Sequence, residues 1–213
     1  VEFASRIEEA GADALELNIA LMASDFDINA QKIEDLVIEI ATSVRKKTSI
    51  PLAAKIGPYF TSIPQVAKRL EKAGLNGLVL FNRFYRPDVD IETMEMVPGY
   101  RYSTPEEISL SLRWIGLLSQ RMNLDIAGST GVFDGSGIIK HILAGASATQ
   151  VCSTVYINGF KQIGIMLERL KFWMQTHHYQ SLADFRGLLS KKNSSKPAYY
   201  ERLQYIKALV GIE

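Results

Sequence analysis

The 213-residue chain has one cysteine, Cys152, so no internal disulfide can staple it, which suits a reducing compartment. Its three histidines, His141, His177 and His178, have no metal-ligand spacing with that cysteine, and no metal is expected. An excess of one charge is lacking too. Lys and Arg number 24 against 23 Asp and Glu, a formal net charge of +1, and without a basic run there is no electrostatic case for nucleic acid. No apolar run approaches the length of a membrane span. A chain with 47% hydrophobic and 22% charged residues can bury a real core, so a globular, cytoplasmic protein with a small-molecule partner is expected. The chain also lacks an initiator Met. It opens at Val1 inside what reads as an amphipathic helix, with Phe3, Ile7 and Ala10 on one side, so a segment ahead of Val1 is expected.

What is present is clearest from Leu124 to Val155. Two short apolar runs, residues 124–127 and 148–151, flank a helical pattern of Ile138, Ile139, Ile142 and Leu143 at i, i+1, i+4 and i+5. The first run ends in Gly128-Ser129-Thr130-Gly131 and the second in Cys152-Ser153-Thr154. Small residues at both ends let backbone N–H groups approach an anion closely, and in a parallel α/β array the two ends lie side by side. The pattern reads as a phosphate grip.

The rest of the chain repeats this design. Apolar strands are expected at 14–18, ending on Asn18, at 50–55, ending on Lys55, and at 77–81, followed by Asn82. Helices are expected at about 29–47, with Asn29 as N-cap, and at 62–73, closed by Gly74. Residues 83–104, with Pro87, Pro98 and Gly99 among charges, form a long excursion that covers a site or folds as a small hairpin. Thr104-Pro105-Glu106-Glu107 then has the chemistry of a helix start, with Pro105 at N1 and Glu107 reaching back from N3; the helix is expected to run to about Met122. A long helix from 159 to 177 and a short one from 182 to 189 follow. Nearly continuous apolar strands mark a parallel sheet buried on both faces. Five strands suit a doubly wound open sheet, and length favours it, since a (β/α)8 barrel typically needs about 250 residues. The polar strand ends favour the barrel, because Asn18, Lys55 and Asn82 would all point into one mouth.

A lysine fixed there offers positive charge to a group that becomes negative during reaction. Asparagine amides offer donors and an acceptor to a planar heterocycle. Together with the phosphate grip, this describes flavin mononucleotide (FMN) with its ring over the mouth.

These residues carry a resemblance. LELN at 15–18, AAKIGPYF at 53–60, Asn82 after its strand, GSTGV at 128–132, HILAGASATQV at 141–151 and YQSLADFRGLL at 179–189 resemble, in order and over nearly the whole chain, the class 1-like dihydroorotate dehydrogenase family of FMN-dependent (β/α)8 barrels. The resemblance implies that residues 1–213 are the C-terminal part of one barrel domain, supplying about strands 4 to 8, with the 83–104 excursion over its mouth. It implies oxidation of dihydroorotate to orotate in pyrimidine biosynthesis, by hydride transfer to FMN, in a homodimer. Lys55 would stabilise the reduced flavin, Asn18 and Asn82 would bind substrate or flavin, and Gly128, Thr130, Gly131, Val132, Cys152 and Ser153 would hold the phosphate.

The chain departs from the family pattern in three places. Thr130-Gly131 stands where the family has two glycines, and Cys152-Ser153 where it has glycine and threonine. After Asn18 the family places a Cys or Ser base three residues on, and here that residue is Leu21, which accepts no proton. The base is therefore unknown, with Ser24 or Asp25, slightly further along the same loop, as the candidates to substitute. The alternative is a flavin- or phosphate-binding barrel with a different substrate or no catalysis.

Overall fold

The computed structural model describes residues 2–99 and 101–202. Five strands, β1 (Leu15–Asn18), β2 (Leu52–Ile56), β3 (Gly77–Leu80), β6 (Asp125–Gly128) and β7 (Ala148–Thr149), form one parallel sheet in that order. Helices α1 (Glu2–Glu9), α2 (Ala30–Arg45), α3 (Ile63–Lys72), α4 (Ile108–Leu118), α5 (Gly135–Ala144), α6 (Ser153–Asn158) and α7 (Lys161–Thr176) complete the order with a separate antiparallel ribbon, β4 (Pro87–Asp90) and β5 (Glu95–Pro98).

Strand order chooses between the two architectures. A doubly wound sheet reverses its winding at a switch point, whereas here each main-sheet strand adds beside the one before it, as in a barrel. The curl of the sheet agrees. In a flat sheet β1 and β7 would lie four spacings apart, about 19 Å. Instead Gln150, one residue past β7, donates from Nε2 to Glu16 Oε2 on β1 at 2.6 Å. The side chains meet across a concave face.

The alternation of side chains along each strand separates two surfaces. Leu52, Ala54, Ile56, Leu78, Leu80 and Ile126 point to the convex side, where they are buried against Val37, Ala41 and Val44 of α2, Val66, Ala67 and Leu70 of α3, and Ile115 of α4. Burying each such Leu or Ile contributes about 1.5–3 kcal/mol. The polar Glu16 and Lys55 point the other way, into the concavity.

Several helix signals act as the local chemistry requires. Asn29 Oδ1 accepts from Lys32 N at 2.9 Å, and Thr104 N donates to Glu107 Oε2 at 2.8 Å. Gly74, at φ +89°, follows the α3 C-cap.

Other expectations fail. Only Ala4 of α1 is buried, and Phe3, read on the apolar side of an amphipathic helix with Ile7 and Ala10, is 74% exposed. The last strand stops at Thr149, and Cys152-Ser153-Thr154 leads into α6. Its β-branched run of Thr154, Val155 and Ile157 hides a helix that is held by Thr154 Oγ1 donating to Phe133 O at 2.9 Å. The long helix expected from 159 is present as α7, and a short helix that was not expected, α6, precedes it; the two are parted at Gly159, where φ is +74°. The helix begun at Thr104 opens with a 3-10 turn at Pro105–Glu107 and ends at Leu118, short of Met122. The short helix at 182–189 shrinks to a 3-10 turn, Leu182–Asp184, capped at its start by Asp184 Oδ2 accepting from Gln180 N and Ser181 N at 2.7 Å, and Gly187, at φ +75°, departs from helical geometry beyond it.

Candidate functional site

All five strands of the sheet point their carboxyl ends to one edge, and the loops leaving that edge enclose a cavity of about 330 Å³. Strand pairing sets its floor. Asn18 is in register with Lys55, Lys55 with Val79, and Leu80 with Gly128. Of the residues singled out from the sequence, Lys55, Asn82, Thr130, Gly131, Val132, Cys152 and Ser153 line the cavity.

The asparagines act as a pair. Asn82 Nδ2 donates to Asn18 Oδ1 at 2.6 Å and lies near the carbonyls of Lys55 and Ile19 at 3.3 and 3.4 Å. That nitrogen is committed. Asn82 Oδ1 and Asn18 Nδ2 make no hydrogen bond among the described residues, an acceptor and a donor of the kinds that the edge of a cyclic imide or amide requires. Asn18 does not itself line the cavity and reaches it through Asn82.

The loop after β6 is built for close backbone approach. Thr130 and Gly131 both adopt positive φ, +74° and +76°, which explains why two glycines suit this place. Thr130 takes the conformation at a cost of about 1–2 kcal/mol, with its Oγ1 donating to Phe81 O at 3.3 Å. A Cβ on Gly131 would fall 2.2 Å from Ile108 N, so the loop is pressed against the start of α4. The 83–104 excursion returns to the same place. Ser103 donates from both N and Oγ to Ser153 Oγ at 3.0 Å, leaving the Ser153 hydroxyl proton free for a ligand.

Two arginines went unread in the sequence. Arg83 and Arg101 line the cavity with Lys55, and among the described residues no carboxylate does. Arg83 Nε donates to Glu107 Oε2 at 3.1 Å and its Nη2 to Tyr102 O at 3.0 Å, while Arg101 lies 5.8 Å from the centre of the Tyr102 ring. Arg101 has no ion pair among the described residues, so the cavity presents positive charge to an anion. Neither arginine ends a strand, so strand-end polarity could not have found them. Gln150 also lines the cavity, and that signal does reach it: it is the polar residue after β7, as Asn82 is after β3.

Gly128 is placed differently from the expectation. It lies on the convex side, where a Cβ would fall 2.2 Å from His141 Nδ1, and it does not line the cavity. The imidazole is fully buried. Ser111 Oγ lies 2.8 Å from His141 Nε2 and 3.0 Å from Ile108 O. The hydroxyl has one proton, spent on that carbonyl, so Nε2 carries the ring proton and Nδ1 keeps a lone pair without a partner. Burial pushes the imidazole down from 6.5 to about 4.

The expected substitute bases are also elsewhere. Asp25 Oδ1 accepts from Asp27 N at 2.9 Å within its own loop, Ser24 is exposed beside it, and neither lines the cavity. Leu21 packs against the core and lines a second cavity of about 290 Å³ with Gly57, Tyr59, Phe60 and Phe84. Among the described residues no three His, Cys, Asp or Glu side chains gather as a metal site, and no helix is long and apolar enough to cross a membrane.

The donor set fits a phosphorylated heterocycle: small residues and backbone at one end, an ammonium and paired amides at the other. Comparison with known proteins gives this chemistry a family. The family model described as dihydroorotate dehydrogenase matches residues 1–174. The chain is similar to the dihydroorotate dehydrogenase B (NAD(+)) catalytic subunits of Thermoplasma acidophilum, at 27% identity over 88% of the chain and 63% of the relative, and of Pyrococcus abyssi, at 28% over 89% and 66%. It is also similar to the chloroplastic dihydropyrimidine dehydrogenase (NADP(+)) of Arabidopsis thaliana, at 26% over 87% of the chain and 48% of the relative. The chain thus spans just under two thirds of the length of each of these two dihydroorotate dehydrogenase B subunits. With the family model covering most of its length and the curled parallel sheet in barrel order, the chain belongs to the dihydroorotate dehydrogenase family.

Proposed function

We propose that this chain is the FMN-binding, C-terminal part of a (β/α)8-barrel oxidoreductase acting on a CH–CH bond of a reduced, amide-bearing heterocycle. The observation that carries it is one cavity holding Lys55, Asn82 and the small-residue loops at 129–132 and 152–153. FMN, when bound, supplies a ring able to accept a hydride. The chain's residues do the rest. The backbones of Thr130, Gly131 and Val132, with Cys152 and the free Ser153 hydroxyl proton, hold the phosphate; the Lys55 ammonium offsets negative charge on the ring; Asn18 and Asn82 meet an imide edge.

Dihydroorotate is the substrate the family suggests, with orotate as product, in a cytoplasmic homodimer. A second reading has its own support. Dihydroorotate oxidation needs a base, and Leu21, Ser24 and Asp25 leave the cavity without a carboxylate or serine from that loop. A related reduced heterocycle, or flavin binding without turnover, suits that loop better.

The test is anaerobic mixing of the full-length protein, reconstituted with FMN, with dihydroorotate while the oxidised flavin band is followed. Failure to bind FMN rejects the proposal as a whole. Bound flavin that bleaches rapidly selects dihydroorotate, and bound flavin that stays oxidised selects the second reading. With any substrate that does bleach it, Lys55→Ala is expected to slow reduction about 10²–10³-fold, the usual effect of removing one preorganised electrostatic contact.

A further inference from the structure

Lys55 does not stand alone in the cavity. Its Nζ donates to Gln150 Oε1 at 2.8 Å, and Gln150 Nε2 donates to Glu16 Oε2 at 2.6 Å. The three residues come from β2, from just past β7 and from β1, so the chain of bonds spans the concave face. Its polarity is fixed by what each group can do. An ammonium only donates and a carboxylate only accepts, so the amide between them has a single workable orientation.

This arrangement keeps an acid near the lysine without letting them touch. A carboxylate in contact with Nζ would cancel much of the positive charge that the cavity presents. A neutral amide takes one of the three ammonium protons and leaves two for a ligand. Glu16 fixes the amide from behind, and among the described residues no carboxylate lines the cavity.

We infer that Gln150 is a positioning residue that holds the Lys55 ammonium at the cavity while insulating it from the Glu16 carboxylate. The inference deepens the proposed flavin site and rests on that reading for its redox consequence. Glutamine is suited to the role by chemistry: glutamate has the same length but would pair with the lysine, and leucine fills similar space but cannot tether it.

The test uses the full-length protein with Gln150→Glu and Gln150→Leu. In the cofactor-free state, the rate at which an amine-acylating reagent labels Lys55 is read by mass spectrometry. Release of the tether in Gln150→Leu is expected to speed labelling several-fold, and ion pairing in Gln150→Glu to slow it several-fold; equal rates in all three proteins overturn the inference. In the FMN-bound state, the flavin midpoint potential is expected to fall in Gln150→Glu, because the reduced anionic ring loses its compensating charge. An unchanged potential there, with labelling altered, overturns the insulating role. A protein that binds no FMN defeats the flavin reading alone, and the labelling rates still decide whether Gln150 tethers and insulates Lys55.

Discussion

The loop after β1 and the loops after β6 and β7 leave the same edge of one sheet, yet they have taken opposite chemistry. After β6 and β7 the chain is small and polar, with Thr130 and Gly131 held at positive φ and Ser153 clasped to Ser103. After β1 it is apolar: Leu21 packs on the core and lines a cavity with Tyr59, Phe60 and Phe84, and Asp25 turns back on its own loop. On the proposed reading, cofactor holding and substrate chemistry are separable on this scaffold. Backbone N–H groups survive side-chain changes that would remove a catalytic base, so the proposed phosphate end would tolerate drift and the proposed reactive end would not.

The largest expected effect tests the support beneath the β6 end. His141 fits the fold only as the neutral imidazole, its folded value being about 4 against 6.5. The unfolded chain therefore takes up a proton first as pH falls. Stability is intact above pH 6.5 and declines toward pH 4, by up to about 3 kcal/mol across that window. Urea unfolding at pH 7 and at pH 4.5 measures it, and His141→Gln, though weaker at pH 7, is expected to lose this part of the slope.

A smaller effect is expected at the other end. Leu21→Ser removes partly buried packing and should lower unfolding stability by about 1–2 kcal/mol. Because position 21 faces the apolar cavity, reduction of bound flavin by dihydroorotate is expected to be no faster. Acceleration would show that this loop swings over the cavity proposed for the flavin, and would dissolve the contrast between the two ends. The smallest effect has the opposite sign. Thr130→Gly relieves a left-handed threonine but frees the unfolded chain and loses the Oγ1 bond to Phe81 O, so it should raise stability by at most about 0.5 kcal/mol while FMN affinity is kept, as thermal unfolding with and without FMN would report.

Much of this fold could be read from sequence because apolar runs and polar strand ends are local signals. Asn18, Lys55 and Asn82 stood out for that reason, as did the caps at Asn29 and Thr104. The losses are of another kind. Gly128 lies in a small-residue run whose facing cannot be read until the sheet is built, and it faces His141. Arg83 and Arg101 come to the cavity by the path of a long excursion, and the β-branched residues of α6 disguise a helix. Length favours one candidate architecture and strand-end polarity the other, and strand order and curl, both non-local, separate them.

The curl carries a consequence for how the molecule responds to what it binds. Glu16 and Gln150 are 134 positions apart, so their contact exists only after every strand between them has paired. A ligand gripping Lys55 and its neighbours cannot stabilise one loop in isolation; by mass action it stabilises the entire closed arc. Occupancy of the cavity is therefore expected to act as a keystone, written into the melting temperature of the whole sheet.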